Sequence, residues 1–134
     1  MPCSALPRTP LVSIVDDDPS VRRALERLVE AAGYAVETFA SAEEFLGSTS
    51  FGPVACLILD VHLNGMNGLD LKELLVARGD TVPVIFITAH DDAPTRERID
   101  RSGAAAFLAK PFNRQALIGA IRGVLGTRDG RRGS

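Results

Sequence analysis

No apolar run in this chain approaches the ~20 residues needed to cross a bilayer, so nothing in it reads as a membrane span. Cysteine is scarce: Cys3 and Cys56 are the only two, and their spacing matches no metal or redox motif. Cys56 stands in an apolar run and reads as a small buried hydrophobe. A reducing cytoplasm is the natural setting for such a chain. There is no basic excess either. Fifteen Lys and Arg against 17 Asp and Glu give a formal net charge of −2, whereas a domain that binds nucleic acid by displacing counterions wants a basic face. The opening residues 1–10 lack the apolar stretch of a secretory signal. With Pro2, Pro7 and Pro10 they read as a flexible leader. The residues given lead us to expect neither an internal repeat nor a second domain among them.

What is there is enough for one domain. The chain has 134 residues, 46% of them hydrophobic and 24% charged, so a core can form without staples and disorder is not expected. The expected domain covers residues 11–126, with 127–134 as a flexible Gly- and Arg-rich tail.

Apolar runs and helical periodicities alternate along it. Leu11 to Val15 is a short, partly β-branched run and predicts the first strand. Asp18 and Pro19 supply an N-cap and a first-turn proline for a helix with Val21, Leu25, Leu28 and Val29 on one face, stopped by Gly33. Residues 34–39 alternate as a second strand. Ser41 with Glu44 three residues on is a capping-box pattern opening a second helix. Residues 54–60 form the most continuously apolar run, as expected of a strand covered on both faces. A helix carrying Leu69, Leu71, Leu74 and Leu75 follows. Residues 83–88 predict a fourth strand, 92–102 a fourth helix, 104–109 a fifth strand, and Asn113 caps a last helix with Leu117, Ile118, Ile121 and Leu125 on one face. Five strands alternating with five helices predict an α/β fold, a doubly wound five-stranded parallel sheet.

In such a sheet ligands bind beyond the carboxyl ends of the strands, where strand order reverses. Strand one leads into Asp16 and Asp17, strand three ends in Asp60, strand four in Thr88, and strand five leads into Lys110 and Pro111. Each residue alone is more often structural than functional; four strand ends agreeing is what carries weight. Three carboxylates brought together repel and raise one another's pKa, and a hard divalent cation such as Mg²⁺, with Mn²⁺ as an alternative, relieves that. One Asp is then available as a nucleophile for a phosphoryl group. Lys110 and Thr88 would meet its oxygens.

Several segments together resemble the receiver domains of response regulators from two-component systems. They are Val15-Asp16-Asp17-Asp18-Pro19, Leu59-Asp60-Val61-His62-Leu63, Gly65-Met66-Asn67-Gly68, Ile87-Thr88-Ala89 and Lys110-Pro111-Phe112. The likeness covers residues 11–125, and Ser41 to Leu46 with Phe107 to Phe112 look like the receivers of nitrogen-fixation-type transcriptional regulators. The resemblance implies a (βα)5 flavodoxin-like receiver fold. It implies Asp60 as phosphoacceptor and Asp17 as chief Mg²⁺ ligand, with Asp16 direct or through water. The backbone carbonyl of His62 is implied as a further ligand, Thr88 and Lys110 as phosphoryl sensors, Phe107 as the aromatic switch residue, and a cis Lys110–Pro111 bond. From the residues alone Phe107 would read as core. As partners it implies a histidine kinase or histidine phosphotransfer protein, an effector domain or target protein reached through helix four, strand five and helix five, and a homodimer formed on phosphorylation. It implies no direct contact with nucleic acid or membrane. Family members often carry Pro where this chain has Asn64, which leaves the geometry of the metal loop open.

The only histidines, His62 and His90, each lie two residues beyond a site residue. They are either exposed loop residues or tune the phosphoryl lifetime between pH ~5 and ~8. Three other functions compete. An Asp-nucleophile phosphatase would usually carry a second Asp where this chain has His62. A flavin module would need a Ser-, Thr- and Gly-rich phosphate loop after strand one. A pseudo-receiver scaffold would be expected to lack some of the site residues.

Overall fold

Five strands of four or five residues form one parallel sheet: β1 (Leu11–Val15), β2 (Ala35–Phe39), β3 (Cys56–Asp60), β4 (Val84–Thr88) and β5 (Ala106–Ala109). The computed structural model describes residues 9–48, 54–89 and 92–129. Helices α1 (Pro19–Ala31), α2 (Ala42–Gly47), α3 (Gly68–Ala77), α4 (Ala93–Arg101) and α5 (Arg114–Asp129) alternate with the strands. The sheet order is β2-β1-β3-β4-β5. The α/β doubly wound fold expected from the sequence is therefore present.

The period-two alternation of β3 and β4 divides the core. Leu57, Leu59, Val84 and Phe86 pack in one cluster with Leu71 and Leu75 of α3 and Ile99 of α4. Cys56, Ile58, Ile85 and Ile87 pack in the other with Leu25 and Val29 of α1 and Leu117 and Ile121 of α5. Both faces of these central strands are covered, which is why their sequence runs apolar without interruption. Ile99 is the one buried residue of α4, so that helix is held by a narrow apolar contact.

Caps set the helix starts. The Asp18 carboxylate accepts from the Ser20 and Val21 amides, at 2.9 and 3.3 Å. Asn67, Asp92 and Asn113 cap α3, α4 and α5 in the same way. At α2 the Ser41 hydroxyl accepts from the Glu44 amide as expected, but Glu44 reaches back to the amide of Ala40, one residue before the cap. The strands are shorter than the apolar runs: the pairing registers begin at Cys56 in β3 and at Ala106 in β5, while Ala55 and Ala105 donate their amides to the Leu11 and Val84 carbonyls at 2.8 and 2.9 Å. Helix α5 continues through Asp129, past Gly126, where the sequence led us to expect the chain to loosen. The leader up to residue 8, the tail from 130 and His90 lie outside the described residues.

Candidate functional site

The registers place the site. Val15 of β1 pairs with Leu59 of β3, Asp60 of β3 with Ile87 of β4, and Thr88 of β4 with Ala109 of β5. Asp16, Asp60, Thr88 and Lys110 therefore leave the same edge of the sheet on four adjacent strands. That edge includes the point where β1 has β2 on one side and β3 on the other, the reversal at which an open parallel sheet leaves a crevice.

Asp16 and Asp60 are buried and Asp17 is half-buried, and one carboxylate oxygen from each lies within 4.8 Å of the others. This is the one metal-competent cluster of His, Cys, Asp and Glu among the described residues. The Lys110 ammonium lies 3.1 Å from Asp16 Oδ2 and 3.3 Å from Asp60 Oδ2. Backbone amides orient the carboxylates: His62 donates to Asp60 Oδ1 at 3.1 Å, Asp18 to Asp16 Oδ1 at 2.9 Å, and Asn64 to Asp17 Oδ2 at 3.1 Å. Arg22 of α1 turns back to donate to the Asp16 carbonyl at 2.8 Å. The Lys110–Pro111 peptide bond is cis.

Charge in this crevice is unbalanced. Burial and the Asp16 charge push the Asp60 carboxyl above its ordinary range, and Lys110 with the His62 amide only partly oppose them. For Lys110, burial disfavours the ammonium, but the Asp60 and Asp16 charges and their hydrogen bonds outweigh it and raise the group. One ammonium facing three carboxylates leaves an excess of negative charge. An all-oxygen donor set suits a small hard cation, and its spread is close to the ~4 Å between opposite ligands of a Mg²⁺ octahedron. The residues fit such an ion.

The loop from β3 to α3 closes over the site. Gly68 is buried with its α-carbon against the Asp60 carbonyl, so close that a side chain there would collide with that backbone oxygen. Thr88 is fully buried at its strand end. The His62 side chain is exposed on the loop. Phe107 is half-buried on β5, packed against the cluster that holds Phe86, with the Arg96 guanidinium over its ring. Arg22, Glu43 and Arg96 were not singled out from the sequence. Each acts across a turn or between elements, and no local pattern marks it.

Residues 12–122 match the family described as the response regulator receiver domain. Response regulator protein TodT of Pseudomonas putida is 42% identical over 118 residues, covering 88% of this chain and 52% of TodT. Transcriptional regulatory protein FixJ of Azorhizobium caulinodans is 40% identical over 121 residues, covering 90% of this chain and 57% of FixJ. The chain thus spans about half the length of these curated relatives. Among solved structures, response regulator StyR superimposes with a TM-score of 0.82 at 45% identity, covering 93% of this chain and 63% of that one. A response regulator receiver protein from Burkholderia phymatum gives 0.77 at 46% identity, covering 88% and 96%. With the parallel sheet and its acidic edge, these likenesses place the chain in the family of response regulator receiver domains of bacterial two-component systems.

Proposed function

We propose that the chain is a phosphorylation-controlled switch that accepts a phosphoryl group on Asp60 from a sensor histidine kinase or a histidine phosphotransfer protein. The observation that carries this reading is the buried Asp60 carboxylate at the end of a central strand, sharing the Lys110 ammonium with Asp16. Asp60 would attack phosphorus as the bond to the donor's imidazole nitrogen breaks, and that nitrogen would leave with the bonding electrons. Asp16, Asp17, Asp60 and the His62 carbonyl would hold Mg²⁺, or Mn²⁺ in its place. Such an ion would supply charge neutralisation and a contact for a phosphoryl oxygen.

The remaining roles belong to the chain itself. Lys110 already stands within hydrogen-bonding distance of Asp60 and would follow the new charge. Thr88, next to the Asp60 strand end, would donate to a phosphoryl oxygen. Phe107 on the neighbouring strand would repack, changing the face formed by α4, β5 and α5 for an effector domain, a target protein or a second copy. This is a population shift between two packings. Catalysis is limited to the domain's own phosphorylation and dephosphorylation. No described helix is long and apolar enough to cross a membrane, and a cytoplasmic site of action follows from the expected donor.

The test is treatment with acetyl phosphate or beryllofluoride in the presence of Mg²⁺, followed by intact mass and size measurement. A single modification that Asp60→Asn abolishes is expected. Modification persisting in Asp60→Asn would refute the assignment.

A further inference from the structure

We infer that Glu43 is a positioning residue for the acidic site, acting through the loop between β3 and α3. The Met66 amide donates to Glu43 Oε2 at 3.1 Å, joining α2 to a loop 23 residues further along the chain. Gly65, at φ +79°, presents its bare α-carbon to the same carboxylate. A β-carbon there would stand 3.0 Å from Glu43 Oε2. The carboxylate therefore fits a glycine turn and the amide beyond it. Just before that turn, the Asn64 amide donates to Asp17 Oδ2 at 3.1 Å. The loop is tied at two successive points, to Glu43 on one side and to an acidic site residue on the other.

The tether at Glu43 fixes where Asn64 can lie, and Asn64 fixes the plane of the Asp17 carboxylate. His62, two residues before Asn64, donates its own amide to Asp60. Glu43 thus orients the Asp17 carboxylate without touching it. Asn64 and Gly65 are exposed and depend on these backbone bonds, while the half-buried Met66 side chain also packs against the core cluster. Groups that orient metal ligands from outside typically change affinity ~10–100-fold. An exposed tether belongs at or below the low end of that range.

The inference rests on the cation reading of the preceding section, and the test separates the two. Amide chemical shifts of the metal-free protein and Mg²⁺ titrations would be compared for the wild type, Glu43→Ala and Glu43→Gln. Expected for Glu43→Ala are upfield shifts of both the Met66 and Asn64 amide protons and Mg²⁺ binding weakened about threefold to tenfold. Glu43→Gln keeps an acceptor for the Met66 amide but not the charge, and should restore both. An Asn64 amide that does not respond to Glu43→Ala overturns the inference, as does a Gln variant no better than Ala, which would reduce Glu43 to a remote negative charge. A wild type that binds no Mg²⁺ counts against the cation reading instead, and the Asn64 shift then decides the tether alone.

Discussion

The guanidinium carbon of Arg96 lies 4.8 Å from the centroid of the Phe107 ring. Arg96 is on the exposed side of α4 and Phe107 is half-buried on β5. The cation therefore caps a ring that the proposed switch requires to move. An exposed cation–π contact contributes about 0.5–1 kcal/mol. Arg96→Ala should raise the share of molecules with Phe107 repacked by about twofold to fivefold before any phosphorylation. Fluorine spectra of fluorophenylalanine-labelled protein would read this, with Arg96→Lys as the variant that keeps the cation. An unaltered Phe107 resonance in Arg96→Ala would remove Arg96 from the switch.

Neutralising Asp60 should stabilise the metal-free protein. Its carboxyl is held above the ordinary 3.8 by burial and then by Asp16, so the folded chain retains a proton that the unfolded chain releases. That contribution is present below the ordinary value and is lost as pH rises through the raised one. Above that raised value the wild type bears the cost of an ionised buried group, and Asp60→Asn does not. We expect Asp60→Asn to be more stable than the wild type at pH 7, because burial and the Asp16 charge disfavour the carboxylate and not the neutral amide, with the difference shrinking toward acid pH. Urea unfolding across that range measures it. Mg²⁺ at a hundred times Kd should stabilise the wild type by about 2.7 kcal/mol and so act against the difference, cancelling or reversing it.

Lys110→Ala should have the opposite sign. The raised ammonium stabilises the fold fully below its ordinary 10.5, and the contribution is lost only as pH rises through its higher folded value. Its removal at pH 7 leaves Asp16 and Asp60 facing each other with neither charge offset. Breaking a buried pair costs about 3–5 kcal/mol, and partial exposure of Lys110 reduces this to roughly 1–3 kcal/mol. Mg²⁺ should recover most of the loss, because it neutralises the same carboxylates. The variant should still take up beryllofluoride more weakly and show no size change. Thermal unfolding with and without Mg²⁺ is the check, and equal losses in both would mean that Lys110 and the ion do not share a role.

Gly68→Ala should destabilise by about 2–4 kcal/mol. The added carbon meets the backbone carbonyl of Asp60, which cannot move without disturbing the end of β3. Gly65→Ala also forces a side chain into positive φ, at about 1–2 kcal/mol. Its new carbon lies against the flexible end of Glu43, which can yield. Chemical denaturation should therefore rank Gly68→Ala as the more damaging. Equal stability of Gly68→Ala and wild type would mean that the loop does not rest on the Asp60 backbone.

Much of this molecule was legible in one dimension. The unbroken apolar runs of β3 and β4 announced strands covered on both faces. Asp18, Ser41 and Asn113 marked helix starts, because a cap is a contact between residues two or three apart. Asp16, Asp17, Asp60, Thr88 and Lys110 stood out since parallel connectivity sends every strand's carboxyl end to the same edge. Strand lengths were less legible: Ala104 and Ala105 lie beside β5 without joining its pairing register.

The order of apolar runs, caps and strand-end acids was settled by the chain itself, since each depends on neighbours within a few residues. Which carboxylates share Lys110, how Glu43 reaches Met66, and that Arg96 covers Phe107 were decided only when the sheet assembled. Those contacts join residues on different elements, and nothing in the local chain encodes the distance between them.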